Sequence, residues 1–277
     1  MPYPIILAHG VCRFDEAWNR VFKADNSDDP RIDNLHYFKG VRTMLKARGL
    51  DVFHTHVPWA APVDKRAEAL KKNIGRILKK TGARKVNIIA HSMGGLDARH
   101  MLFNDRRIGR IHERIASLTT ISTPHSGSPF ADWGLQHLPR VIPLLQYLGL
   151  DLSGLRDLTT DTCRTFNARP DVKAFEKACE SWIRFQTYAG RQKGPGLSAS
   201  LRLSFRVIQK VEGDNDGLVS VRSAKWHERY FRGILEGCDH LNELGWWNPC
   251  QILAGESPAR LLRRIHRFYA TVAEDLP

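Results

Sequence analysis

The chain has 277 residues, of which 42% are hydrophobic and 26% charged, a composition typical of a globular protein that buries a sizeable core. Its 42 Lys and Arg side chains outnumber 29 Asp and Glu, and the formal charge of +13 favours anionic partners. No nucleic-acid-binding motif or aromatic platform accompanies these charges, so we expect no nucleic-acid partner. Two interpretations of the charge stay open: solvated helix faces, and attraction to an anionic lipid interface.

The cysteines and the hydropathy pattern bear on the compartment. Five cysteines at scattered spacings predict free thiols rather than a disulfide framework or a metal site. No apolar run approaches the length of a membrane span, and Met1 and Pro2 lead into a predicted strand rather than a signal peptide. We therefore expect a soluble protein without a transmembrane segment, with the cytoplasm slightly favoured and secretion left open.

Short apolar runs alternate with helical patterns along the chain. Strands are predicted at Pro4–Ala8, Leu50–Val57, Val86–Ile89, Ile115–Ile121 and Val207–Lys210, and a strand or hairpin is predicted to start within Trp182–Gln192. Helices are predicted at Tyr37–Arg48, Asp64–Lys80, Leu96–Phe103 and Pro258–Ala273. This alternation predicts one α/β domain over residues 1–277, with a mainly parallel central sheet flanked by helices. Ligands of such sheets bind beyond the carboxyl ends of the strands.

The segment Lys85–Gly95 contains the candidate nucleophile. A β-branched run leads to Ser92, and small residues stand two positions before and after it, at Ala90 and Gly94. A sharp strand-to-helix turn needs small residues there and presents the serine to a base. The N–H of Met93, at the start of the helix, and that of Val11, after His9-Gly10, are the candidate oxyanion donors. Plain turns are the alternative interpretation of both segments.

Five ordered motifs resemble the bacterial true lipases of the Pseudomonas and Burkholderia type, within the α/β-hydrolase superfamily. They are Tyr-Pro-Ile-Ile-Leu-Ala-His-Gly at 3–10, Val-Asn-Ile-Ile-Ala-His-Ser-Met-Gly-Gly at 86–95, Ser-Thr-Pro-His-Ser-Gly-Ser at 122–128, Asn-Asp-Gly-Leu-Val at 215–219 and Asp-His-Leu-Asn-Glu at 239–243. The resemblance implies the α/β-hydrolase fold and a triad of Ser92, Asp216 and His240.

Alternatives stay open for two members of that triad. Asp214 lies in the same turn as Asp216 and competes with it for the role of the acid. His125 and His227 are rivals of His240, although only His240 lies late in the chain, in a predicted loop before a helix-like segment.

Two departures from the family concern its calcium site. The family's aspartate ligand falls on Asn242, and a glutamine ligand falls on or near Trp246. We therefore expect no metal and no other cofactor, with Trp246 and Trp247 supplying apolar packing in place of the ion.

An apolar segment broken by prolines predicts an insertion over residues 130–175 that acts as a lid or cap. A mobile lid and a fixed cap are both open. A large apolar lid favours acylglycerols at a lipid–water interface, so we predict a triacylglycerol lipase. The alternatives are a carboxylesterase for short soluble esters and a non-catalytic lipid- or anion-binding protein on the same fold.

Overall fold

The computed structural model describes residues 2–10, 26, 28–58, 60–137, 152–193, 196–253 and 255–277. The strands within these ranges are β1 (Ile5–Ala8), β2 (Val52–His54), β3 (Val86–His91), β4 (Ile115–Ile121), β5 (Arg184–Arg191) and β6 (Phe231–Glu236). The helices are α1 (Pro30–Asp33), α2 (Val41–Lys46), α3 (Val63–Thr81), α4 (Met93–Asn104), α5 (Pro129–Gln136), α6 (Leu152–Asp157), α7 (Thr160–Ala168), α8 (Pro170–Cys179), α9 (Arg202–Val211), α10 (Val221–Ala224), α11 (Pro249–Leu253) and α12 (Pro258–Glu274).

The six described strands form one sheet in the order β2-β1-β3-β4-β5-β6, and every neighbouring pair is parallel. In register, Ile6 of β1 lies opposite Ile88 of β3, and Ala90 of β3 lies opposite Thr120 of β4. Because all strands run the same way, their carboxyl ends share one edge of the sheet, where residues that follow them can meet.

Both faces of the sheet are covered by apolar helix faces. Successive residues of β1 point to opposite sides of the sheet. Ile6 packs in a cluster with residues of α3 and α4, and Ile5 packs in a cluster with residues of α2 and α12. This double burial explains why the central strands are apolar runs rather than alternating sequences. The predicted parallel sheet flanked by helices is therefore confirmed.

The helix and strand predictions hold for most elements. Helix α3, for example, ends at Gly82 in the left-handed conformation expected of a C-cap.

The predicted strand at Val207–Lys210 is wrong, because these residues lie in α9. The buried side chains of α9 are Ser204 and Ile208, which are four residues apart and so lie on one face of a helix. A four-residue window was too short to separate this spacing from that of a strand.

The predicted insertion at residues 130–175 contains α5, α6, α7 and most of α8. Trp133 and Leu135 of α5 pack with Leu155 of α6 and Ile208 of α9 in a small apolar cluster. Residues 138–151, which carry much of the predicted lid, lie outside the described residues. No helix in the described part of the chain is both long and apolar enough to cross a membrane.

Candidate active site

Ser92 lies at the junction of β3 and α4, at the carboxyl edge of the sheet. Its backbone has φ +56° and ψ −132°, a conformation that L residues rarely adopt. Two long-range hydrogen bonds hold it: the Ser92 N–H donates to Ile121 O at 2.9 Å, and Thr123 Oγ1 donates to Ser92 O at 2.7 Å. The strand end of β4 thus stabilises a strained turn that presents the serine.

The turn is crowded, as the small residues around Ser92 suggested. A Cβ atom on Gly94 would lie 2.5 Å from the backbone O of His9, and one on Gly10 would lie 2.7 Å from Cβ of Ser92. Since these contacts involve backbone or the nucleophile itself, no side-chain movement would relieve them. Glycine at both positions lets the β1 terminus approach Ser92 closely.

His240 and Asp216 meet in a buried contact at the same edge. Nδ1 of His240 lies 2.7 Å from Oδ2 of Asp216, and Oδ1 of Asp216 accepts the N–H groups of Leu218 and Val219 at 2.8 and 2.7 Å. Burial acts to raise the pKa of Asp216, but the charge and hydrogen bond of His240 and the two N–H donors outweigh it, so this pKa lies below its usual value. A carboxylate held ionised beside an imidazole orients the ring and stabilises its protonated form.

The competing candidates are engaged elsewhere. Asp214 forms an ion pair with Arg191, Nη1 to Oδ2 2.6 Å, and its side chain is 43% exposed. Both ring nitrogens of His125 have partners, Thr120 and Arg99, while His227 is exposed. By contrast, Nε2 of His240 is buried and, within the described residues, lacks a hydrogen-bond partner. The geometry therefore favours Asp216 and His240 over their rivals.

A buried acid that the sequence reasoning missed lies beneath this pair. Glu243 is fully buried; its Oε1 accepts the hydroxyl of Ser122 at 2.8 Å, and its Oε2 lies 3.0 Å from Nε2 of His91. Burial, followed by the charge of Asp216, raises the pKa of Glu243 well above its usual value. Burial and the charge of His240 likewise lower the pKa of His91, which favours the neutral ring. Both directions favour a protonated Glu243 that donates to Nε2 of His91.

This hydrogen-bond network continues in both directions. Nδ1 of His91 lies 2.8 Å from the hydroxyl of Tyr37, and the N–H of Gly190 donates to Ser122 Oγ at 2.9 Å. It ties the ends of β3, β4 and β5 to the loop that carries His240. In the sequence, Glu243 stands out only as the last residue of the Asp-His-Leu-Asn-Glu motif. The spacing of residues did not link it to His91, the residue before Ser92.

The chain resembles known lipases in sequence and in fold. Residues 60–142 match the family model of a PGAP1-like alpha/beta domain. Over 90% of its length the chain is 30% identical to triacylglycerol lipase 2 of Saccharomyces cerevisiae, covering 82% of that protein. The chain belongs to the triacylglycerol lipase family. As in that family, its activity is that of a carboxylic ester hydrolase.

Other lipases and esterases resemble the chain less completely. A triacylglycerol lipase of Pseudomonas fragi is 35% identical over 130 residues, which are 47% of this chain and 37% of that protein. Among solved structures, a mature Bacillus licheniformis lipase is 22% identical with a TM-score of 0.63, covering 87% of this chain and 85% of that one. A metagenomic carboxyl esterase is 15% identical with a TM-score of 0.66, covering 99% and 76%. These two structural likenesses show the α/β-hydrolase fold.

Of the two candidate oxyanion donors in this lipase-family chain, the structure describes one. Met93 is buried and is the first residue of α4, so its N–H has no acceptor inside the helix. Val11 lies outside the described residues, although Gly10 before it is placed against Ser92.

Asn242, at the position of the family's aspartate ligand, forms an amide pair with Gln251. Nδ2 of Asn242 donates to Oε1 of Gln251 at 2.9 Å, and Nε2 of Gln251 donates back to Oδ1 of Asn242 at 2.8 Å. Trp246 and Trp247 are partly buried against the apolar cluster that contains α12, and the indole N–H of Trp246 donates to Tyr37 O at 3.0 Å.

One group of potential metal ligands exists among the described residues: His91, His240 and Glu243, with ligand atoms within 4.8 Å of one another. His91 and Glu243 already bond to each other, and Nδ1 of His240 bonds to Asp216. Of the side-chain polar atoms in this group, Nε2 of His240 is the one that the described residues leave without a hydrogen-bond partner.

Proposed function

We propose that this chain is a triacylglycerol lipase of the bacterial true-lipase type that acts through an acyl-enzyme on Ser92. The observation that carries the proposal is the buried Asp216–His240 pair, whose Nε2 lacks a partner among the described residues, at the sheet edge where the strained turn presents Ser92. An unsatisfied buried imidazole nitrogen beside a serine turn is the arrangement a general base requires.

In the proposed reaction, His240 takes the hydroxyl proton as Ser92 attacks the ester carbonyl. The backbone N–H groups of Met93 and Val11 bind the oxyanion. His240 then gives its proton to the leaving alcohol, and water, activated by the same imidazole, releases the fatty acid. Asp216 stays ionised throughout, which agrees with its lowered pKa.

The proposed substrates are acylglycerols at a lipid–water interface. This extension rests on the names of the relatives and on the apolar insertion at residues 130–175, in which Leu135 and Trp133 remain only partly buried. A carboxylesterase for dissolved short esters is the second candidate, since the metagenomic carboxyl esterase shares the fold. We also propose that catalysis needs no calcium, because the amide pair of Asn242 and Gln251 satisfies the position of the family ligand internally.

The test is a hydrolysis series on glycerol triesters from short to long acyl chains, each followed through its solubility limit. A rate on long chains that rises when the emulsion forms supports a lipase with a mobile lid, and activity confined to dissolved short esters supports the carboxylesterase with a fixed cap. Ser92→Ala is the blank, and Ser126→Ala, an exposed serine in the loop after β4, is the matched control.

If Ser92→Ala retained the parent rate, the proposed nucleophile would be wrong. A chelator should change neither the rate nor the melting temperature, and a sharp drop in either would refute the calcium-independent site.

A further inference from the structure

Four arginines form a stripe on the C-terminal helix α12. Arg260, Arg263, Arg264 and Arg267 are all exposed and follow the spacing i, i+3, i+4, i+7, which places them on one face of the helix. Together with Gly255, Glu256 and Leu261 they line a surface groove of about 440 Å³. We call this set of four residues the arginine stripe.

Within the described ranges, little negative charge lies near the arginine stripe. In the described part of the chain, no ion pair within 4 Å involves any of the four guanidinium groups, and Glu256 is the only acidic residue of the groove. Like charges three and four residues apart on a helix lower its stability. Arg264 bonds to the loop after β6. The concentration of four cationic side chains on one face nevertheless fits an anionic surface outside the protein.

The direction of α12 places the stripe at the edge of the sheet that carries the candidate site. Its carboxyl end lies at the amino ends of the strands, since Asn87 at the start of β3 donates to the O of Pro277 at 3.2 Å. In the stripe, Arg264 donates to the O of Gly237, the residue after β6, at 3.2 Å. The stripe is thus at the carboxyl ends of the strands, as are Ser92 and His240.

An exposed apolar tip adjoins the stripe. Helix α11 ends in Ile252 and Leu253, which are 49% and 86% exposed, and the groove begins at Gly255. The same helix is bound to the His240 loop, because its Gln251 pairs with Asn242, and Asn248, the residue before the helix, donates to Asp239 at 3.2 Å. Cationic side chains beside a protruding leucine are the combination that binds an anionic lipid surface and inserts into it.

We propose that the arginine stripe and the tip of Ile252 and Leu253 form a docking surface for an anionic lipid interface, on the same edge as the ester-cleaving site. The role of this docking surface rests on the proposed lipase function. The surface holds the enzyme on the lipid, while Ser92 acts on the ester. A short connection from α11 to the His240 loop keeps the docked surface and the site in fixed relation.

The experiment measures sedimentation with vesicles of phosphatidylcholine alone and of phosphatidylcholine with phosphatidylserine. The protein carries Ser92→Ala, so that no lipid is consumed. The test variant adds Arg260→Gln, Arg263→Gln and Arg267→Gln. The matched control adds Lys65→Gln, Arg76→Gln and Lys79→Gln on the exposed face of α3, an equal loss of charge. A second pair compares Leu253→Ser with Ile108→Ser, whose parent side chains are 86% and 85% exposed.

The parent should bind the anionic vesicles more tightly than the neutral ones, and less tightly as salt rises. Each arginine that is removed should weaken binding about fivefold, so the triple variant should bind about 100-fold more weakly than the parent. The α3 control should bind about as tightly as the parent. Leu253→Ser should weaken binding about tenfold, and Ile108→Ser should not. In chains that retain Ser92, turnover of a dissolved short ester shows that every variant is folded.

Equal binding to both vesicle types, or an α3 control that loses as much as the test variant, would overturn the docking surface. Binding to a short DNA duplex that depends on the stripe, without vesicle binding, would also overturn it. Because the binding assay uses an inactive chain, its failure is separate from that of the lipase function, which is judged by triester hydrolysis alone.

Discussion

Replacing Asp216 by asparagine tests the candidate triad most directly. Oδ1 of Asp216 accepts two backbone N–H groups, from Leu218 and Val219, while Oδ2 faces Nδ1 of His240 at 2.7 Å. In Asp216→Asn the remaining oxygen has to stay with the two N–H donors, so the amide nitrogen faces His240. The imidazole must then accept at Nδ1 and carry its proton on Nε2, which is the wrong tautomer for a base.

The expected loss is about 10⁴-fold in kcat, or about 5.5 kcal/mol in the activation barrier, with little change in KM. The assay is hydrolysis of a dissolved short ester, at a pH where wild-type Asp216 is ionised, as its pKa lies below 3.8. Asp214→Asn is the control, because Asp214 pairs with Arg191 at the surface, and it should stay within about twofold of the wild type. A rate for Asp216→Asn within tenfold of wild type, or an equal loss in Asp214→Asn, would refute the tautomer argument.

Three further substitutions probe the support of the site, each measured by thermal unfolding. Gly94→Ala puts a Cβ 2.5 Å from the O of His9, and we expect a loss of at least about 2 kcal/mol together with most activity; an unchanged melting temperature would contradict the crowded turn. In Glu243→Gln the amide can donate to His91 and accept from Ser122 as the protonated acid does. Because burial raises the pKa of Glu243, its stabilising contribution is complete below 4.5 and is lost as pH rises. The melting temperature of Glu243→Gln relative to wild type should therefore increase with pH, and a gap that shrinks would argue against a protonated Glu243. Arg66→Met removes a buried partner of Asp97, whose carboxylate lies 2.7 Å from Nε of Arg66. We expect the free energy of unfolding to fall by about 3–5 kcal/mol, and a second change, Asp97→Asn, to restore part of it. An additive further loss in the double variant would contradict this.

Local patterns were sufficient for β1 to β5 and for the candidate nucleophile, whereas β6 was not predicted. The doubly buried strands appear as apolar runs, and the turn at Ser92 needs small residues in its immediate neighbourhood, so both signals lie within a few consecutive residues. The same holds for α3, whose apolar spacing and terminal Gly82 are local. Helix α9 was assigned as a strand because the window of four residues around Val207 covers barely one helical turn. Strand β6 was missed because Leu235 is the one buried residue among its six.

Tertiary structure decided the features that depend on contacts between distant segments. Asp214 and Asp216 differ by two positions in one turn, and only the folded chain shows which of them reaches His240, 24 residues away from Asp216. The contact of His91 with Glu243 spans 152 residues, and the raised pKa of that acid follows from burial that no local pattern reports. Likewise, the arginine stripe is evident in the sequence as spacing, but its place beside the site depends on how α12 packs across the sheet. Electrostatic environment and direction of packing arise from the whole fold, whereas backbone periodicity arises from neighbouring residues.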